Sequence, residues 1–250
     1  MNEFYNIVAI FFLVALLYSS AGFGGGSSYL AILALAGVTM TTMRPTALMC
    51  NIIVVLGGSY IFYQHHYLKI KAILPLIIFS IPMAFIGGYW PIRELVFFIL
   101  LGGSLFIAAM LLWFQDQIDK KHANTRNFSQ GQNAIIGGAI GLLSGLVGIG
   151  GGIFLSPLLH LARWSDSKTI AATASFFILV NSLSGLIGQW FQSKFSIDLN
   201  FAWPLLLAVF IGGQIGSRIS VKQLSPLMIK KITALLIMLV SIKILNENVF

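Results

Sequence analysis

The sequence predicts an all-α integral membrane protein made of two four-segment repeats, inverted relative to one another, each opening with a glycine-broken element. Three observations carry that prediction. Of 250 residues, 58% are hydrophobic and 9% charged, against about 25% charged in an ordinary soluble domain. The charges cluster, leaving long uncharged runs between them. A Gly-x-Gly-Gly-Gly sequence also occurs once in each half, as Gly22-Phe-Gly-Gly-Gly26 and Gly148-Ile-Gly-Gly-Gly152.

Residues 4–43 form the first uncharged run. As one helix its 40 residues would reach about 60 Å, twice the hydrocarbon thickness of a bilayer. The glycines lie near its middle, and each interior glycine costs a helix about 1 kcal/mol, so three together break it. The run is therefore either a hairpin of two shorter helices that returns to its own side or a single broken helix that crosses. Runs 45–68, 72–92 and 95–115 follow, each long enough to span. The second half repeats the pattern: 127–162 holds the second glycine motif, then come 169–193, 199–217 and a last apolar stretch, 232–245, interrupted by Lys243. The domains read as 1–114 for the first repeat, 115–132 for a polar cytoplasmic linker, and 133–250 for the second repeat, together one membrane domain.

Further correspondences support the repeat. Asn51 and Asn181 each sit inside the apolar segment after a glycine motif. Leu74-Pro75-Leu76 matches Trp203-Pro204-Leu205, and Gly87 and Gly216 each fall twelve residues after the proline. Paired glycines elsewhere (Gly57-Gly58, Gly87-Gly88, Gly102-Gly103, Gly212-Gly213) read as close-packing positions between helices.

Charge bias decides between the two uses of the glycine element. If each element crosses, the 15 Lys and Arg divide seven to eight between the sides. If each returns, one side holds all of them but Arg44, Arg93, Lys194 and Lys243, eleven against four. The second division is a normal bias and favours inverted repeats, with the linker in the cytoplasm and both termini outside.

Several classes are excluded. The net charge of +8 is spread over short loops, as expected of orientation signals and headgroup anchors rather than a nucleic-acid surface. The single cysteine, Cys50, allows no internal disulfide. With Glu3 and no basic residue ahead of the first apolar run, a cleaved signal peptide is not expected. No Gly-Lys-Ser/Thr follows either glycine motif, so neither is a phosphate-binding P-loop. No cofactor, metal ligand set or catalytic group is expected. Ser144, Ser156 and His160 lie near the second motif but form no evident catalytic pairing.

The glycine motifs are the candidate substrate site. Broken backbone at membrane depth is tolerated where it is packed in protein or lines a cavity, and its freed N–H groups make a patch that attracts anions. The candidate residues are Gly24, Gly25, Gly26, Ser27 and Ser28 in the first half, and Gly150, Gly151 and Gly152 in the second. Asn51 and Asn181 either tie down the broken backbone or touch the substrate. Arg44, at the start of the segment leading to Asn51, and Arg218, ending Gly212-Gly-Gln-Ile-Gly-Ser-Arg218, are candidates for an anion clamp or for interfacial anchors.

The stretch Gly148-Ile-Gly-Gly-Gly-Ile-Phe-Leu-Ser-Pro-Leu158 resembles the signature of the TauE/SafE family of sulfite and organosulfur-anion exporters, and the duplicated layout and the segment prolines match over nearly the whole chain. The first copy departs from the pattern: Ala31 stands where the second has Pro157, and Ser27 and Ser28 replace apolar residues. The resemblance implies a multi-pass inner-membrane exporter of sulfite, sulfoacetate or a similar anion. Another anion, or uptake, are the alternatives, and a membrane-embedded enzyme is less favoured. The partners expected are the small anion and the lipid bilayer, with no nucleic acid; a homodimer is left open. No Asp or Glu lies well inside a span, so membrane potential is the expected driving force.

Overall fold

The uncharged runs fold as helices that are broken at the two glycine motifs. The computed structural model describes residues 2–20, 22–118, 129–192, 195, 197–220 and 226–248, and among them there are ten helices and no strand. The first half holds α1 (Asn2–Ser20), α2 (Gly26–Leu35), α3 (Met40–Gln64), α4 (Ile70–Tyr89) and α5 (Glu94–Ile118). The second holds α6 (Gln130–Val147), α7 (Gly152–Leu161), α8 (Ser167–Trp190), α9 (Leu199–Ser220) and α10 (Pro226–Asn248). Each glycine motif thus divides its run into a longer and a shorter helix, α1 with α2 and α6 with α7. At 10 residues apiece, α2 and α7 are about 15 Å long and reach only halfway through a bilayer core. Among the described residues five helices are long and apolar enough to cross: α3, α4, α8, and the stretches Glu94–Trp113 of α5 and Leu199–Arg218 of α9.

Local chemistry sets several boundaries. Ser129 and Gln132 form a reciprocal capping box at the start of α6, which satisfies two of the amides a helix start leaves free. Asp166 caps α8 through the amides of Lys168 and Thr169 at 3.1 and 3.0 Å. Helix α5 runs to Ile118 and α6 begins at Gln130, so both ends of the expected 115–132 linker are helical. Its middle, 119–128, lies outside the described residues.

Helix pairings come in matched couples. Helix α4 packs on α6 and α9 on α1; α4 meets α8 and α9 meets α3; α5 meets α7 and α10 meets α2. Helices α3 and α8, and α5 and α10, pair with one another. The halves are therefore interlocked, with the first helix of each seated on the other half.

Small residues make this interlocking possible, because without a hydrophobic force between helices in lipid, close backbone approach supplies the attraction. On α6, Gly137, Gly141 and Gly145 lie bare against the carbonyls of Leu76, Ser80 and Ala84 on α4. On α9, Gly212 and Gly216 do the same against Phe12 and Leu16 of α1. Gly87, Gly88 and Gly213 also meet neighbouring backbone as expected, and Gly102 packs under Leu245. Gly103 differs: nothing lies within 4 Å of its missing side chain. Large apolar side chains such as Leu13, Ile78, Ile107 and Trp203 point outward, as a lipid-facing surface requires.

Helices α3 and α8 run antiparallel through the centre. Leu48 lies 3.7 Å from the missing side chain of Gly185, Ser175 lies 3.4 Å from that of Gly58, and the Ser59 and Ser175 hydroxyls hydrogen-bond at 3.0 Å. Extended along the helices, this register sets Asn51 opposite Ser182 and Arg44 opposite Gln189, so polar residues recur every seven positions on α8, at 175, 182 and 189.

Candidate functional site

Both glycine breaks converge on the middle of the α3–α8 seam. Gly25 (φ +86°) and Gly151 (φ +81°) are the N-caps of α2 and α7. Positive φ is open to glycine at little cost and strained for other residues, which is why the helix can be interrupted there. The first helical hydrogen bond of α2 is made by Tyr29 N to Gly25 O at 3.0 Å, and that of α7 by Phe154 N to Gly151 O at 3.1 Å. The amides of Gly26, Ser27, Ser28, Gly152 and Ile153 precede those bonds and carry the positive end of each helix dipole.

Asn51 stands where the breaks meet. It is fully buried on α3, and its Nδ2 donates to the carbonyl of Ile149 at 2.9 Å, joining the first half to the broken backbone of the second. A Cβ at Gly24 or Gly26 would run into the Asn51 amide, and one at Gly150 would lie 2.8 Å from both Asn51 Nδ2 and Ser182 Oγ. Asn51 Oδ1 and Ser182 Oγ have no hydrogen-bond partner among the described residues. A buried polar atom left unpaired costs about 1–3 kcal/mol, so this arrangement is built around groups that still seek a partner.

The expected equivalence of Asn51 and Asn181 does not hold in space. In the second half, Gly150 and Gly152 face Ile178 as Gly24 and Gly26 face Asn51. Ile178 is therefore the counterpart of Asn51, and Asn181 lies almost one turn further along α8. Asn181 Nδ2 bonds the carbonyl of Phe177 on its own helix at 2.8 Å. Chemical likeness suggested the match, but helical phase decides which side chain meets the glycines.

Other candidates divide similarly. Gly24, Gly26, Gly150 and Gly152 face the crossing, whereas the missing side chains of Gly25 and Gly151 point into Tyr29 and Val14, and into Ile140 and Phe177. Ser27 is buried and lines a cavity of about 10 Å³ with Tyr18, Phe23, Ile149 and Ile178. That is room for one water at most. Ser28 is taken up by the Tyr18 hydroxyl at 2.6 Å. Arg44 is buried, with Nη2 donating to Gly145 O near the end of α6 at 3.1 Å. Its counterpart is Ala171, since Gly148 packs on the Arg44 backbone and Gly22 on that of Ala171. Arg218 is exposed in the last turn of α9, and the structure does not bring it to the crossing.

Sequence reasoning missed Ile178, which carries no chemical signal. Ser182 and Gln189 carry a weaker signal: with Ser175 they recur every seven residues, which places them on one face of α8.

An apolar outer surface, five spanning helices and two buried breaks meeting at a polar seam define a polytopic helical membrane protein with a transporter-like core. Residues 7–244 match the family described as sulfite exporter TauE/SafE. The chain is also similar to the probable membrane transporter protein y4hK of Sinorhizobium fredii (strain NBRC 101917 / NGR234), at 31% identity over 246 residues, covering 98% of this chain and 99% of that protein. The protein belongs to the TauE/SafE family of membrane transporters.

Proposed function

We propose that this protein exports a small sulfur-containing anion (sulfite, sulfoacetate or a similar oxyanion) across the inner membrane, driven mainly by membrane potential. The observation that carries the reading is the meeting of the two glycine breaks at Asn51. Two helix N-termini, each worth about half a positive charge, converge on one buried point beside the Ser182 hydroxyl, a donor with no partner among the described residues. Such a point favours a compact anion that accepts several hydrogen bonds at once.

The cavity of about 10 Å³ at the crossing is too small for a sulfur oxyanion, so transport requires the breaks to part. Inverted repeats give a route to such movement, one half rocking on the other around a fixed centre. The antiparallel α3–α8 seam supports this arrangement. So does the gathering of the start of α3, the α4–α5 turn and the end of α8 around one cavity. On this reading α2 and α7 return to the sides from which α1 and α6 enter, and the linker is cytoplasmic.

Membrane potential fits the chemistry of the interior. No carboxylate is among the buried polar side chains described, and moving one negative charge outward gains about 2.3 kcal/mol per 100 mV. The test is flux of sulfite, sulfoacetate, thiosulfate and sulfate in proteoliposomes under a set potassium diffusion potential. Potential-driven movement of a sulfur anion is expected. No flux of any of them in folded protein would overturn the substrate class, and flux that follows a pH gradient but ignores potential would overturn the driving force.

A further inference from the structure

The α3–α8 seam holds a second polar level, seven residues from the glycine crossing, that the crossing does not use. There Arg44 on α3 and Gln189 on α8 both line a cavity of about 740 Å³, between the start of α3, the α4–α5 turn and the end of α8. Arg44 is 4% exposed and Gln189 3%. Arg44 gives one hydrogen bond, to Gly145 O, while its Nε and Gln189 Nε2 have no partner among the described residues.

A buried guanidinium without an anion is costly, and proteins ordinarily pair it. Among the described residues no carboxylate does so. Glu94 lines the same cavity beside Arg93, but both are exposed, and Arg44 forms no ion pair with it. Of five guanidinium N–H donors, one is used among the described residues. Gln189 adds two more, held on the facing helix at the matching seven-residue position. Arg44 and Gln189 both contribute to the cavity wall, with Arg44 Nε and Gln189 Nε2 buried just beneath its surface, and the space beside them is far larger than an oxyanion.

We propose that this cavity is a second anion site, in which the Arg44 guanidinium and the Gln189 amide hold a sulfonate- or sulfate-like oxyanion about 10 Å along α3 from Asn51, seven residues at about 1.5 Å each. The site rests on the anion-transport reading for its ligand class. It is one-sided, because Arg44 has Ala171 as its counterpart in the other half. An anion is therefore held at one mouth of the pathway and not at the other. Under the topology proposed above, that mouth faces outward, so the site is where cargo is last held before release and where external anion competes with it.

The test uses the full chain in detergent with buried Cys50 replaced by Ser and Thr41, on the cavity wall, replaced by Cys. Labelling of that cysteine by a maleimide is followed with sulfoacetate, and with chloride at equal ionic strength as control. Sulfoacetate is expected to slow labelling where chloride does not, equally in the parent and in Gly26→Val, which fills the crossing. In Arg44→Gln and Gln189→Leu, the concentration needed for protection should rise about tenfold, and Arg44→Lys should recover part of it. Should Arg44→Gln fail to elute as folded protein, Gln189→Leu and Arg44→Lys decide. Absence of protection in the folded parent overturns the site. So does protection unchanged in Gln189→Leu and Arg44→Lys, or protection that disappears in Gly26→Val. Protection without flux would overturn transport of the probe and leave this site standing; flux without protection would do the reverse.

Discussion

Asn51 Nδ2 donates to Ile149 O at 2.9 Å, so a side chain of the first half closes the broken backbone of the second. Among the described residues there is no reciprocal bond, because apolar Ile178 stands where the second half has its counterpart of Asn51. The two halves are alike in backbone and unlike in chemistry where the glycine breaks meet.

Replacing the two asparagines should therefore have unequal effects. Asn51→Ala removes the bond across the halves and is expected to abolish flux and to destabilise by about 1–3 kcal/mol. Asn181→Ala loses a bond within one helix turn and should cost about 1 kcal/mol or less, with flux within a few-fold of wild type. Thermal unfolding in detergent, alongside flux normalised to folded protein, measures both. Equal losses would restore the equivalence that the sequence suggested.

The interlocking of α1 with α9 and of α4 with α6 depends on bare backbone. A methyl group at Gly145 or Gly216 would meet the Ala84 or Leu16 carbonyl directly. Gly145→Ala and Gly216→Ala should each cost at least about 1–3 kcal/mol through overpacking, seen as a lower yield of monodisperse protein and a lower Tm.

Sidedness of α3 and α8 discriminates the two topologies. Thr41 and Phe191 line the same cavity. In a Cys50→Ser background, cysteines at positions 41 and 191 should both react with an impermeant reagent added to the same side of sealed vesicles. Reaction from opposite sides would contradict inverted repeats.

Asp166 gives the α8 cap a pH dependence. Partial burial raises its pKa, but bonds from Thr169, Ser165 and the Lys168 amide outweigh this and hold the carboxyl below the usual range. With the folded pKa depressed, the cap is fully stabilising above the unfolded pKa and is lost as pH falls through the folded one. Asp166→Ala should cost about 1 kcal/mol at neutral pH. Its Tm difference from wild type should shrink on acidification below the ordinary aspartate range; a constant difference would mean that the carboxylate is not the cap.

Much of this was legible in the sequence. Charge-free runs mark the helices because lipid leaves backbone groups no partner except their own chain, and the doubled glycine motif locates both breaks to the residue. Phase was not legible. Asn51 and Asn181 lie at slightly different distances from their glycines, and a shift of three residues turns a helical side chain by about 60° and moves it about 4.5 Å along the axis, enough to replace an amide with Ile178 at the crossing. Arg218 ended an attractive glycine-rich stretch, yet Gly212 and Gly216 serve the seat of α1 and leave Arg218 exposed beyond it. The depth of Arg44 was equally hidden, since burial of a helix-initial arginine is set by α6 and α8, which are distant in sequence.

Potential-driven flux of a sulfur anion through Gly26→Val, compared with Gly103→Val, tests most directly whether the glycine crossing is the pathway. A side chain at Gly26 enters the crossing at Asn51, whereas one at Gly103 meets nothing within 4 Å. Loss of flux in folded Gly26→Val with wild-type flux in Gly103→Val is the expected result. Wild-type flux in Gly26→Val would place the anion's path elsewhere in the bundle.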